Sequence, residues 1–134
     1  MANTLAHQAT TQKDIRALRI PTHDFPSLTQ DDFSSLIRYV FYTKYVTTIK
    51  LDDYNTLIVS QDYNNQYKEV NFIATTLYRT YNPLSTKTIY GPVLAVGSPD
   101  EQVYDYQSIT VNLIEDTINI LNRFSYFKKQ KFDY

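Results

Sequence analysis

The sequence predicts a small α+β domain: a three-stranded, mainly antiparallel sheet packed with about three helices, in the order α-β-β-α-β-α. Three observations carry this reading. Apolar residues recur at helical spacing in three separate stretches, and short β-branched or apolar runs lie between them. The length, 134 residues, suits one modest core, and so few strands are most economically covered by helices.

The first helix is expected from about Thr29 to Lys44, where Phe33, Leu36, Ile37, Val40 and Phe41 form one apolar stripe. Ser27 or Thr29 is the expected N-cap, with Asp31 and Asp32 at the positive end of the dipole. Pro21 and Pro26 keep the preceding stretch extended. A hairpin follows, Tyr45 to Leu51 and Thr56 to Ser60, around the turn residues Asp52-Asp53-Tyr54-Asn55. Asp62 to Asn65 reads as a loop.

The second helix is expected from about Glu69 to Tyr81, with Val70, Ile73, Ala74, Leu77, Tyr78 and Tyr81 on its apolar side. Asn82-Pro83 ends it, since proline disfavours helical geometry in the residue before it. Ile89 to Val96 reads as the third strand. Its continuous apolar run Val93-Leu94-Ala95-Val96 predicts burial on both faces and a central place in the sheet. The last helix spans about Ser108 to Phe127, with Ile109, Leu113, Ile114, Ile118, Leu121 and Phe124 expected to face the core. This gives a tail over residues 1–12, one domain over 13–127 and a basic, aromatic tail over 128–134.

Composition removes whole classes of chemistry. With no cysteine, disulfides, thiolate catalysis and zinc–thiolate sites are excluded. The glycines, Gly91 and Gly97, are too few and too badly placed for a phosphate-cradling loop. His7 and His23 lack ligand spacing. The pairs Asp31/Asp32 and Asp52/Asp53 are accounted for by helix-start and turn roles, so neither metal nor cofactor is expected. No run approaches the ~18 apolar residues of a membrane span, and the polar N-terminus reads as cytoplasmic (host cytoplasm for a viral chain).

One stretch carries a resemblance. Asn71-x-x-Ala74-Thr75-x-Leu77, followed by Ile89-x-Gly91-x-Val93-Leu94-x-x-Gly97, resembles small domains of unknown function found in bacteriophages, actinobacterial plasmids and some large DNA viruses. It covers about a third of the chain. The resemblance implies a viral or mobile-element accessory protein and transfers no catalytic residue.

The functional expectation is therefore a non-catalytic protein that binds another protein. Tyr and Arg dominate binding hot spots because they bury large area and still hydrogen-bond. Arg38, Tyr39 and Tyr42 fall opposite the first apolar stripe, and Phe72 and Arg79 lie on the outer side of the second helix. Single-stranded nucleic acid is the alternative partner, met by Arg123, Tyr126, Lys128, Lys129 and Lys131, where cations and aromatics alternate. Against it, the chain pI is about 6.1, far from that of a dedicated nucleic-acid binder. A hydrolase with dispersed carboxylates is the second alternative. The net charge of −1 conceals an acidic stretch without Lys or Arg from Thr88 to Asn122, set against the basic tail, and this polarity suits self-association.

Overall fold

Asp14–Ile20 forms a strand, β1, in addition to the three strands that the sequence predicts. The computed structural model describes residues 13–41, 45–60, 69–99 and 105–132, with side chains as far as Phe124. The elements after β1 are β2 (Ser27–Asp32), α1 (Phe33–Val40), β3 (Val46–Lys50), β4 (Asn55–Ser60), α2 (Phe72–Tyr81), β5 (Val93–Gly97) and α3 (Val111–Phe132). The strands form one fully antiparallel sheet in the order β2-β1-β5-β4-β3. The class is thus α+β as expected. The sheet has five strands rather than three, and the chain order is β-β-α-β-β-α-β-α. No helix among the described residues is long and apolar enough to cross a membrane.

The helix expected from Thr29 is shorter at both ends. Ser27–Asp32 runs as a strand along β1, from Arg19↔Ser27 to Asp14↔Asp32, and helical geometry begins only at Phe33. The N-cap is Asp32, not Ser27 or Thr29. Its carboxylate accepts from the Ser35 amide and hydroxyl, each at 2.9 Å. At the other end the Phe41 amide donates to the Ile37 carbonyl and closes the last turn. The expected stripe holds: Leu36, Val40 and Phe41 are buried, with Phe33 and Ile37 packed against them.

The hairpin forms as read, with Val46↔Ser60 to Lys50↔Thr56 in register. Its turn is made by Asp52, whose Oδ1 accepts from the Tyr54 and Asn55 amides at 2.8 and 2.7 Å. β5 is the central strand and is buried throughout, as its apolar run implies. It begins at Val93 rather than Ile89, because Pro92 has no amide hydrogen for the ladder. Gly91 adopts a left-handed φ of 76°, which lets the chain turn into the strand.

Each face of the sheet is covered. On one side α2 and α3 close over Leu18, Ile20, Leu57, Val59, Val93 and Ala95. On the other, α1 covers Ile15, Ala17, Ile58, Leu94 and Val96, and Tyr106 stacks on Phe33 with ring centroids 4.6 Å apart. The α3 stripe holds in part: Ile109 and Leu113 are buried, and Ile114 and Phe124 pack against the same core. Thr117 is buried and Ile118 is 48% exposed, while Leu113 and Ile120 sit in the core. Ser108 does not start the helix: its hydroxyl accepts from the Arg16 amide on β1. The helical backbone continues past Phe127 to Phe132.

The residues of the motif resemblance hold the centre together. Buried Asn71 donates to the Ile20 and Gly91 carbonyls, both at 2.8 Å, and accepts from the Ala74 amide as N-cap of α2. Thr75 exchanges hydrogen bonds with the Ile89 backbone. Gly97 pairs through its backbone with Gln107, and a Cβ there would lie 2.3 Å from the Ser108 carbonyl oxygen. These are folding contacts.

Candidate functional site

Two surfaces merit functional attention, and they lie apart. The first is the outer side of α1. Arg38 and Tyr39 are exposed, as expected, and Tyr39 is 70% accessible. The residue that completes this surface comes from outside the predicted strands: the Arg19 guanidinium on β1 sits 5.3 Å above the Tyr39 ring. Arg19 faces the α1 side of the sheet because it alternates with Ile15 and Ala17, which are in that core. Arg38 donates to the Ser35 hydroxyl. The Ser35 amide and hydroxyl, and then nearby Arg38, hold the Asp32 carboxyl below the ordinary aspartate range. Tyr42 lies outside the described residues.

The other expected binding residues do not join this surface. Phe72 is on α2, across the sheet from α1, and is 67% exposed, although a residue of its size invites burial. Arg79 is exposed but its guanidinium is already employed. It donates to the Thr86 and Lys87 carbonyls and to the Thr88 hydroxyl, fastening the segment after α2. Arg123 is exposed near the end of the described side chains. Tyr126, Lys128, Lys129 and Lys131 lie on the helical backbone of α3, with their side chains outside the described part.

The second surface is a polar cleft of about 560 Å³ between the β3–β4 turn, the end of α2 and the start of α3. Asp52, Glu115 and Asp116 bring three carboxylates to it, together with Tyr54, Tyr81 and Asn55, and among the described residues its lining has no Lys, Arg or His. Much of this polarity is structural. Asn55 is 1% exposed and bonds to Thr110 from both ends of its amide: Nδ2 donates to Oγ1 at 3.0 Å, and Oδ1 accepts from the Thr110 amide at 3.2 Å. Thr110 Oγ1 in turn accepts from the Leu113 amide in the first turn of α3. Tyr81 donates to Asp116 at 2.7 Å. Burial, then that bond and the Asp116 charge, push the Tyr81 phenol well above the ordinary tyrosine value, so it stays a donor.

Chemically, the cleft can accept hydrogen bonds and positive charge. One oxygen of Asp52 is occupied by its turn and one of Asp116 by Tyr81. Among the described residues no group of three His, Cys, Asp or Glu side chains is close enough to hold a metal ion.

The class these observations define is an antiparallel α+β protein with helices on both faces of one sheet. Comparison of the chain with protein families, curated proteins and solved structures finds no match in any of the three.

Proposed function

We propose that this chain is a non-catalytic accessory protein of viral or mobile-element origin that acts by binding another protein through the outer side of α1. The observation that carries the reading is the Arg19–Tyr39 pair. A large aromatic ring is left in water on an ordered helix, with a guanidinium held over it and Arg38 beside it in sequence. Such a pair offers area, directional donors and charge with little side-chain freedom left to lose, which is the make-up of a binding hot spot. The assignment of origin rests on the resemblance of the stretch from Asn71 to Gly97 to phage, plasmid and viral domains.

Substituting Arg38→Ala together with Tyr39→Ala tests this. The double variant is expected to keep the melting temperature of the parent and to lose capture of the partner from the native source. Early melting would assign the face to the core, and undiminished capture would remove it from the interface.

A second reading rests on the cleft. Asp52, Glu115 and Asp116 converge there, which is the disposition a hydrolase with dispersed carboxylates requires. Binding is the better-supported reading because general acid–base work needs carboxylates free to exchange protons, whereas Asp52 and Asp116 are tied to the turn and to Tyr81. A hydrolytic activity abolished by Glu115→Gln would reverse that order.

A further inference from the structure

The outermost strand on one side of the sheet, β2, pairs with β1 and has no strand on its outer side among the described residues. It is regular over six residues, with continuous register and neither bulge nor internal proline to blunt it. Leu28 on this strand is 49% exposed, and Phe25 just before it is 66% exposed. The charge beside this edge is unbalanced. Arg19 makes no ion pair among the described residues, and its Nε is buried without a hydrogen-bond partner. Asp31 is exposed, and one of its oxygens accepts only from the next amide in the chain.

Within one chain these two charges cannot meet. Arg19 stands opposite Ser27 and Asp31 stands opposite Ile15, four residues further along the ladder. An antiparallel second copy changes this. We propose that β2 is the dimerisation edge of the protein, pairing with β2 of a second copy about a twofold axis through Thr29. In that register Thr29 faces Thr29, Leu28 faces Gln30 and Ser27 faces Asp31 of the other copy. Cross-strand neighbours on one face share a side, so Arg19, Ser27 and Asp31 of the second copy form one row on the α1 side. Two strand spacings separate the ends of that row, about 10 Å between Cα atoms. Ser27 between them is small, so the long guanidinium side chain reaches across it. Symmetry makes the row twice.

The same register treats the rest of the edge consistently. On the opposite side of the sheet, Leu18, Leu28 and then Gln30 and Arg16 of the second copy form the matching row, and the Gln30 and Arg16 stems cover Leu28. The paired acids Asp31 and Asp32 end up at opposite ends of the new ladder. An edge bearing aspartates ordinarily resists pairing, and here the arginine behind the facing strand supplies the counter-charge. The result is a continuous ten-stranded sheet of two five-stranded halves. The dimer takes the Arg19 guanidinium from the Tyr39 ring, so both proposals draw on this residue, and Asp31→Arg, which leaves Arg19 and Tyr39 in place, tests the edge alone.

Light scattering after gel filtration, read across protein concentration, tests it. The parent chain is expected at twice its mass of 15.7 kDa at high concentration, falling towards a single chain on dilution. Asp31→Arg and Arg19→Asp should each abolish the doubled mass, and the combined exchange Arg19→Asp/Asp31→Arg should restore it. Because Arg19 is half-buried and its replacement can disturb folding, a cysteine pair gives an independent reading in this cysteine-free chain. Thr29→Cys should oxidise to a covalent dimer, since residues facing across an antiparallel pair come within disulfide range. Ser27→Cys should not. A parent that stays at 15.7 kDa at every concentration overturns the proposal, as does a dimer indifferent to Asp31→Arg or one linked through Ser27→Cys rather than Thr29→Cys.

Discussion

The Tyr81 hydroxyl donates to Asp116 across 2.7 Å and ties the last residue of α2 to the start of α3. Both helices lie on the same face of the sheet, so this bond closes one side of the cleft. Its consequence is a stability that depends on alkaline pH. In the unfolded chain a tyrosine loses its proton near pH 10. In the folded chain burial and Asp116 keep Tyr81 protonated to higher pH. Above about pH 10 the unfolded state therefore binds fewer protons than the native state, and stability falls as pH rises. Below that pH the contribution is fully present. Urea unfolding at pH 8 and at pH 10.5 should show this loss, and Tyr81→Phe should reduce it. Tyr106, raised by burial alone, accounts for a remainder.

Asn71 is expected to be the most sensitive polar residue. Its side chain satisfies two buried carbonyls and one helix-start amide, linking β1, the turn before β5 and α2. Asn71→Ala orphans all three groups at a cost of about 1–3 kcal/mol each where no water replaces the bond, so a total of roughly 3 kcal/mol or more is expected. Asn71→Asp keeps the cap acceptor but removes both donations and should recover little. Chemical denaturation of the two variants measures this. An Asn71→Asp protein as stable as the parent would mean that the cap, not the donations to Ile20 and Gly91, is what matters.

The two glycines should fail for different reasons. At Gly97 the obstacle is space, because an added methyl meets the Ser108 carbonyl oxygen at 2.3 Å and the neighbouring backbone must move. Gly97→Ala should cost about 1–3 kcal/mol, in the range of an overpacked core. At Gly91 the obstacle is the left-handed φ of 76°, so Gly91→Ala should cost roughly 1–2 kcal/mol through backbone strain. Amide exchange separates the mechanisms: the Gly97–Gln107 pair should lose protection in the first variant and keep it in the second.

These contacts also indicate what could be read from the chain alone. The hairpin and the central strand were legible because their patterns match their burial, as with Val93 to Val96. β1 was not, because Asp14, Arg16 and Arg19 interrupt its apolar residues while both of its faces still contribute to a core. β2 was not, because Ser27, Thr29, Asp31 and Asp32 are the residue types that start helices, and the strand has little apolar content to contradict them. With β1 unseen, Tyr39 and Arg38 could be placed on an exposed face but Arg19 could not be set above the ring. The cleft was beyond reach for another reason. Its carboxylates were visible in the helix and turn, but Tyr81 meets Asp116 over 35 residues and Asn55 meets Thr110 over 55, and no local pattern encodes such pairings.

Thr117 and Ile118 on α3 give the sharpest contrast between pattern and packing. Helical spacing puts Ile118 on the buried stripe with Leu113 and Ile114, and leaves Thr117 outside it. The structure reverses the two, because the Thr117 hydroxyl donates to the Leu113 carbonyl at 2.8 Å and so enters the core with its donor satisfied. Ile118→Ala should therefore change stability by less than about 0.5 kcal/mol, whereas Ile120→Ala should cost about 2–5 kcal/mol. Thr117→Val, of similar volume and with no buried partner left wanting except a carbonyl already bonded within the helix, should be nearly neutral. Thermal and urea unfolding of the three variants decide the matter. An Ile118→Ala variant as costly as Ile120→Ala would place Ile118 in the core and overturn this seating of α3.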